Sequence, residues 1–407
     1  MSRVGNEFKE TELGWIPEEW DISNLENLTT KITDGAHHSP PSFGRGYPIA
    51  TVENMEYSSI NVSACRTISS EDFELLKRNS CSPEYGDVLL SKDGTIGKTL
   101  VYKQWDEIVL LSSIAIIRAN KAVLLPQYLM FFLQSPYFYW NLERLRSGSA
   151  IKRIVLKDIK RVLLPIPSLK EQQKMASILS SVDEAIEKTE DIIEQTEKVK
   201  KGLMQQLLTK GIGHTKFKKT EIGEVPEEWE VKVFSDAMVL QRGFDLPTHS
   251  RKEGQYPLMS ANGLTDSHSE YKVEGPGIVT GRSGTIGKVH YIEDNFWPLN
   301  TTLYVKEMYG NHPKFLYYLL SNFRLERFST GTGVPTLNRN VVHIEKIALP
   351  PVDEQQKIAL ILTNVDMRMI KEKQYLQELF NFKKGLMQSL FTGKVRVKFD
   401  ESEVTQV

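Results

Sequence analysis

The stretch SLKEQQKMASILSSVDEAIEKTEDIIEQTEKVKKGLMQQLL, Ser168 to Leu208, decides how the rest of the chain is read, because its apolar residues recur at heptad spacing from end to end. With Met175 as an a position, Met175, Val182, Thr189, Thr196 and Leu203 fall at a and Ile178, Ala185, Ile192 and Val199 at d; Leu179, Ile186, Ile193 and Leu207 fall at e. The pattern predicts one helix of about 40 residues and about 60 Å, longer than globular helices run and suited to a coiled-coil spacer. Ser168 and Glu171 have capping-box spacing.

The stretch then occurs a second time. KEQQKMASILSSVDE at 170–184 is answered by DEQQKIALILTNVDM at 353–367, and KKGLMQQLLTK at 200–210 by KKGLMQSLFTG at 383–393, both 183 residues on. A constant separation means that neither copy carries an insertion, as expected where a shift would rotate a buried stripe away from its partner. Asp353 and Gln356 are placed to cap the second copy as Ser168 and Glu171 cap the first. Polar Thr189 and Thr196 interrupt the seam, and either fix its register or are exposed by a rotation of the second helix.

The duplication extends beyond the helices. LGWIPEEWDI at 13–22 matches IGEVPEEWEV at 222–231, 209 residues on, and DGTIGK at 93–98 matches SGTIGK at 283–288. The second globular half is therefore 26 residues shorter, since a separation of 209 at its start has fallen to 183 at its end. Each half mixes short β-type runs, such as DVLLS and GIVTG, with one apolar helix opened by proline, PQYLMFFLQSPYFYWNLERL or PKFLYYLLSNFRLERF. The fold class expected is α+β: two globular halves, 1–167 and 211–350, each followed by a long helix, 168–210 and 351–393, with a tail at 394–407. The helices are expected to pair as an antiparallel coiled coil, making the chain a pseudo-twofold tandem repeat.

Composition narrows the function. The 407 residues are 40% hydrophobic and 25% charged, with net charge −1, a globular balance with no excess of either sign. The polar start MSRVGNEFKETELGWIPEEW and the lack of any apolar run of membrane length point to the cytoplasm. Cys65 and Cys81 have neither metal-ligand nor C-x-x-C spacing and read as reduced packing thiols. No metal or cofactor is expected. There is no G-x-G-x-x-G after a strand, no H-E-x-x-H, no G-x-S-x-G and no Asn- or Asp-Pro-Pro-aromatic tetrapeptide, so a binding protein is favoured over an enzyme.

GTIGK is not a nucleotide-binding loop, because Lys92 and Arg282 stand where its first glycine is required. The turn either brings backbone N–H groups with Thr95 and Lys98, or Ser283, Thr285 and Lys288, to a nucleic-acid phosphate, or is a plain turn with a solvated lysine. A basic run at 143–161 adds Ser149, Lys152 and Arg153 to the first half's candidates. The second half offers Thr332, Asn338 and Arg339, the asparagine suited to a base edge. Lys92 and Arg282 complete the candidate DNA contacts. The EQQ at 171–173 and 354–356 reads as helix-start chemistry with exposed polar residues; the other reading is a partner contact.

The ordered set of WIPEEW and VPEEWEV, GTIGK twice, LPIPSLKEQQ and LPPVDEQQ, and KKGLMQQLLTK and KKGLMQSLFTG resembles the DNA-specificity subunit of type I restriction-modification enzymes over nearly the whole chain. The resemblance implies two target-recognition domains reading a bipartite sequence in double-stranded DNA. It also implies conserved helices pairing as a spacer, docking of two methyltransferase subunits, and motor-nuclease subunits joining for restriction. It supplies no universal base-reading residues, so the candidates above rest on local chemistry. The alternatives are a coiled-coil scaffold that binds protein or RNA, and the recognition fragment of a fused restriction-methylation enzyme.

Overall fold

A computed structural model describes residues 8–145, 153–330 and 335–397. The chain divides into two compact units, 1–189 with 375–407 and 190–374, so each unit holds one globular half and part of both long helices.

In the first unit a four-stranded antiparallel sheet is built from β1 (Thr29–Asp34), β2 (Val88–Ser91), β3 (Thr99–Val101) and β4 (Ile114–Ala119), in the order β1-β4-β2-β3. β2 and nearly all of β4 are buried, as expected for continuous apolar runs such as VLL and IAII. Against them pack α1 (Pro126–Gln134) and α2 (Pro136–Leu145). The sequence predicts one helix here. Pro136 has no N–H to continue the ladder of α1 and restricts Ser135 to an extended conformation, ψ 148°, so the helix breaks and restarts. A smaller three-stranded sheet at 47–50, 66–68 and 109–110 completes the half.

α3 follows, Leu169–Leu207, one uninterrupted helix. The second unit repeats the plan with β5 (Val239–Arg242), β6 (Gly277–Gly281), β7 (Val289–Ile292) and β8 (Thr302–Glu307) in the order β5-β8-β6-β7, all antiparallel, and with α4 (Pro313–Asn322). Its own three-stranded sheet lies at 256–260, 263–268 and 297–298. The chain closes with α5, Val352–Phe391.

Within each unit the two long helices run antiparallel. In the first, Glu171 meets Arg396 at 2.8 Å and Asp183 meets Lys383 at 2.5 Å. In the second, Lys200 meets Asp366 at 2.5 Å and Glu197 meets Lys373 at 3.0 Å. Asp183–Lys383 and Lys200–Asp366 are counterparts under the 183-residue repeat. The buried stripe of α3 is rotated from the a/d assignment. Met175, Leu179, Ile186, Thr189 and Leu207 are buried, whereas the d residues Ile192 and Val199 are exposed. The reason is that the seam carries the salt-bridging Asp183 and Lys200, which an apolar count passes over. Thr189 and Thr196 turn their hydroxyls onto the carbonyls of Ala185 and Ile192, both at 2.7 Å, so a threonine is accommodated in the seam without an orphaned donor.

The helix starts are the junctions to the globular halves, and here the expectation of exposed polar residues holds for Gln173 and Gln356 but fails for the Glu and Gln before each. Glu171 is buried and takes the indole N–H of Trp20 at 3.1 Å; Gln172 accepts from Leu125 N–H at 2.9 Å and donates to Val123 and Pro167 carbonyls. Glu354 likewise takes Trp229 at 3.0 Å, and Gln355 accepts from His312 N–H at 2.9 Å and donates to Pro350. EQQ therefore joins each long helix to the tryptophan of PEEW. Ser168 still caps Glu171 N–H, but the Glu171 carboxylate is taken by Trp20 and Arg396 and does not close a capping box. Asp353 lies inside α5, whose first bonds go to the Pro351 carbonyl, so it is not the cap.

The chain following each helix seals the same junction. Ile212 N–H and His214 Nε2 reach Glu354, both at 2.9 Å, and Arg396 reaches both Glu171 and Glu19 while lying over the Trp20 ring. Cys65 and Cys81 are free thiols, and burial pushes the Cys65 thiol up to about 11, which keeps it protonated and unreactive at neutral pH.

Candidate nucleic-acid interface

The two GTIGK turns connect β2 to β3 and β6 to β7. Gly94, Gly97, Gly284 and Gly287 all have positive φ, from +70° to +94°, a conformation that costs glycine little. Tyr139 in the first unit and Glu326 in the second lie where a β-carbon on Gly97 or Gly287 would be. A tight turn and a close approach thus account for the glycines without a ligand. Of the polar residues, Thr95, Lys98 and Lys288 are exposed, and Lys98 Nζ donates to the Met55 carbonyl at 3.0 Å. Thr285 bonds Asn262 at 2.5 Å, and Ser283 is tied into the sheet framework by an N–H to the Thr301 carbonyl.

Lys92 is a correction. It is 2% exposed, with Nζ 2.9 Å from Asp34, whose other oxygen lies 3.2 Å from His37 Nε2. A buried ammonium needs a carboxylate, and one that has it is spent on the fold and unavailable to a phosphate. Arg282 holds the same framework position in the second unit. Lys92 N–H bonds Ser113 O and Lys92 O accepts from Ile154, just as Arg282 N–H bonds Thr301 O and Arg282 O accepts from Leu337, all at 2.8 Å. The position of Asp34 is taken by Arg242: each precedes a glycine whose N–H bonds the neighbouring strand, Gly35 to Ile114 and Gly243 to Thr302. Where the first unit buries an ion pair, the second places two arginines.

Those arginines open onto a cleft of about 800 Å³, lined among others by Gln241, Arg242, Arg282, Asn338, Arg339 and Asn340. Arg242 donates to both oxygens of Asp245 at 3.1 Å; Asn300 Nδ2 also reaches Asp245, and Asn300 O accepts from Arg282 at 3.3 Å. Arg339 is aimed by one bond to the Leu240 carbonyl at 3.2 Å. Among the described residues each guanidinium is oriented through part of its five donors. Asn338 differs from expectation, because its Oδ1 accepts Asn340 N–H at 3.0 Å and caps the short helix Arg339–His343, so both ends of its amide are not available to an adenine.

Of the first unit's other candidates, Arg153 is exposed and 3.4 Å from Asp93, while Ser149 and Lys152 lie outside the described residues, as does Thr332 of the second unit. Sequence reading missed Gln241, Arg242 and Asn340. The signal was a glycine following an early strand in both halves, TDG at 33–35 and QRG at 241–243. Among the described residues no group of His, Cys, Asp or Glu could hold a metal, and no helix is long and apolar enough to cross a membrane.

Residues 17–198 and 226–381 match the family described as the type I restriction modification DNA specificity domain. The chain belongs to that family. The MjaX type I restriction enzyme specificity subunit of Methanocaldococcus jannaschii is 30% identical over 96% of this chain and 97% of its own length; the MjaVIII specificity subunit of the same organism is 26% identical, with 96% of each covered. The crystal structure of the type I restriction-modification S subunit from M. genitalium shares the fold, with a TM-score of 0.57 at 16% identity, covering 94% of this chain and 97% of that one. The relatives are named as specificity subunits, so this chain is a non-catalytic, DNA-recognising component of a restriction-modification system.

Specificity-family helices need not be apolar outside their seam, yet α5 exposes Leu360, Met367 and Ile370 in the second unit and Tyr375, Phe380 and Phe382 in the first. Ile192 and Val199 of α3 are exposed as well, the latter 56%.

Proposed function

We propose that each globular half, 1–167 and 211–350, is a target-recognition domain reading one part of a bipartite duplex sequence, and that helices 168–210 and 351–393 fix the unread gap between the parts. The exposed apolar residues of the helices are the docking surface for two methyltransferase subunits, with motor-nuclease subunits joining for cleavage; the complex acts on DNA in the cytoplasm. The observation that carries this reading is a duplicated framework with the same Trp–Glu junction in each half but opposite chemistry at the same cleft position, Asp34–Lys92 in one and Arg242–Arg282 in the other. Equal frameworks with unlike clefts suit two readers of unlike sequences. Support for the assembly comes from a solved structure of the same fold, with a TM-score of 0.57 and 14% identity, that concerns complex assembly of the type I R-M system.

The test replaces residues 222–347 with the corresponding half of a relative and maps DNA methylation in cells that also express the methyltransferase. One part of the target should change and the other persist. A swap that altered both parts together would refute independent reading.

A further inference from the structure

The clefts of the two units differ in the base they are able to read. Arginine offers five N–H donors and no acceptor, so its partner must present acceptors, and in DNA the acceptor pair that fits its fork is the O6 and N7 of guanine in the major groove, or a phosphate. The second unit's cleft holds three arginines, and among the described residues neither Arg282 nor Arg339 has a carboxylate at ion-pair distance. Arg242 does have one, Asp245, gripped through a single terminal nitrogen. A carboxylate beside a guanidinium weakens its attraction for a phosphate but fixes its plane, and a fixed plane is what bidentate recognition of a base edge needs. Asp245 is itself held by Asn300, which in turn holds Arg282, so the two arginines are positioned through one connected network. At the equivalent place in the first unit Lys92 and Asp34 neutralise each other and Lys92 is buried, leaving no free donor fork.

We propose that the half-site read by the second unit contains guanine, recognised in the major groove by Arg242 with Arg282 and Arg339, that Asp245 is a positioning residue for this contact, and that the first unit has no arginine reader at the equivalent position. The inference rests on the DNA-reading assignment above and deepens it.

The experiment uses the chain assembled with its methyltransferase subunits. Its target is first mapped by methylation, and the half read by the second unit is identified by the half swap. Duplexes in which each guanine of that half is replaced by 7-deazaguanine, which lacks N7 and leaves the phosphates untouched, are then titrated. At the contacted guanine the affinity should fall about 5- to 100-fold. The complex carrying Arg242→Lys keeps the charge but not the fork; it should lose this sensitivity, relax the target at one G·C pair and keep its salt dependence. Asp245→Asn should relax the same position without changing the first half of the target. A mapped second half-site without a G·C pair overturns the inference, as does uniform tolerance of 7-deazaguanine. So does an Arg242→Ala variant that binds cognate and non-cognate DNA equally more weakly with an unchanged target, because the arginines then hold phosphates. None of these results would touch the two-reader assignment, which stands or falls on the half swap.

Discussion

The same acid–base pair occurs twice in the helical seam at different depths, which allows the worth of burial to be measured within one molecule. Asp183–Lys383 has side chains 10% and 11% exposed, and Lys383 also donates to Gln134 at 2.8 Å and lies over the Phe131 ring; Asp366–Lys200 has side chains 24% and 23% exposed. Removing one partner of a buried pair strands the other charge and costs about 3–5 kcal/mol, whereas pairs open to water are worth about 1 kcal/mol or less. Lys383→Ala should therefore destabilise the first unit by about 3 kcal/mol or more, and Lys200→Ala the second by about 1–2 kcal/mol. Lys383→Met with Asp183→Leu, which removes both charges from an apolar surrounding, should recover most of the loss. Urea titrations of Lys383→Ala, Asp183→Ala, Lys200→Ala, Asp366→Ala and the two double-alanine variants give the two coupling energies, with hydrogen exchange assigning each transition to its unit. Equal couplings, or a Lys383→Ala cost below about 1 kcal/mol, would show that burial does not set the strength of these pairs.

Other outcomes follow from the same structure. His290, His312 and His343 all have side-chain pKa values held below the usual 6.5, chiefly by burial, with Lys288 and Arg339 adding to the effect at His290 and His343. A depressed histidine contributes its full stability above the unfolded value and loses it as pH falls, so hydrogen exchange between pH 7.5 and about 5 should show the second unit loosening first. Lys288→Ala should lower the salt slope of DNA binding by about one unit, whereas Lys92→Ala should leave the slope alone and destabilise the first unit by about 3 kcal/mol through the stranded Asp34. Four residues inserted after Gln195 add about 6 Å and about 40° of rotation, and should lengthen the unread gap by one or two base pairs or abolish binding. Methylation mapping that returned the original gap would show that the helix is not the ruler.

The long helices and the duplication were legible because a constant separation in sequence needs no three-dimensional knowledge: the reading ended them at 210 and 393, and the structure ends them at Leu207 and Phe391. What escaped depended on partners distant in sequence. Lys92 is buried by Asp34, 58 positions earlier, and nothing near Lys92 announces it. The seam was misplaced because apolar residues were counted and Asp183 and Lys383, which share it, were not. Glu171 and Gln172 resemble any polar helix start until Trp20 and Leu125 are brought against them. The cleft was half seen: Arg282 stands just before the repeated SGTIGK and Asn338 and Arg339 lie in the second half's Gly-rich segment, but Arg242 lies on a strand where polar residues usually face water.

The sharing of each unit between the ends of two helices has a consequence for the gene. Met387, Leu390 and Phe391 belong to the core that also holds Trp20, Phe132 and Met175, so a reading frame stopped near Lys210 yields a product whose core lacks one wall. That product still carries KKGLMQQLL, the counterpart of the missing KKGLMQSLF. Two such truncated molecules can fill each other's gap, each lending the end of its helix to the other, and the dimer then has two identical readers. Its target would be a palindrome, reached by a single nonsense mutation and with no substitution in the reader that remains.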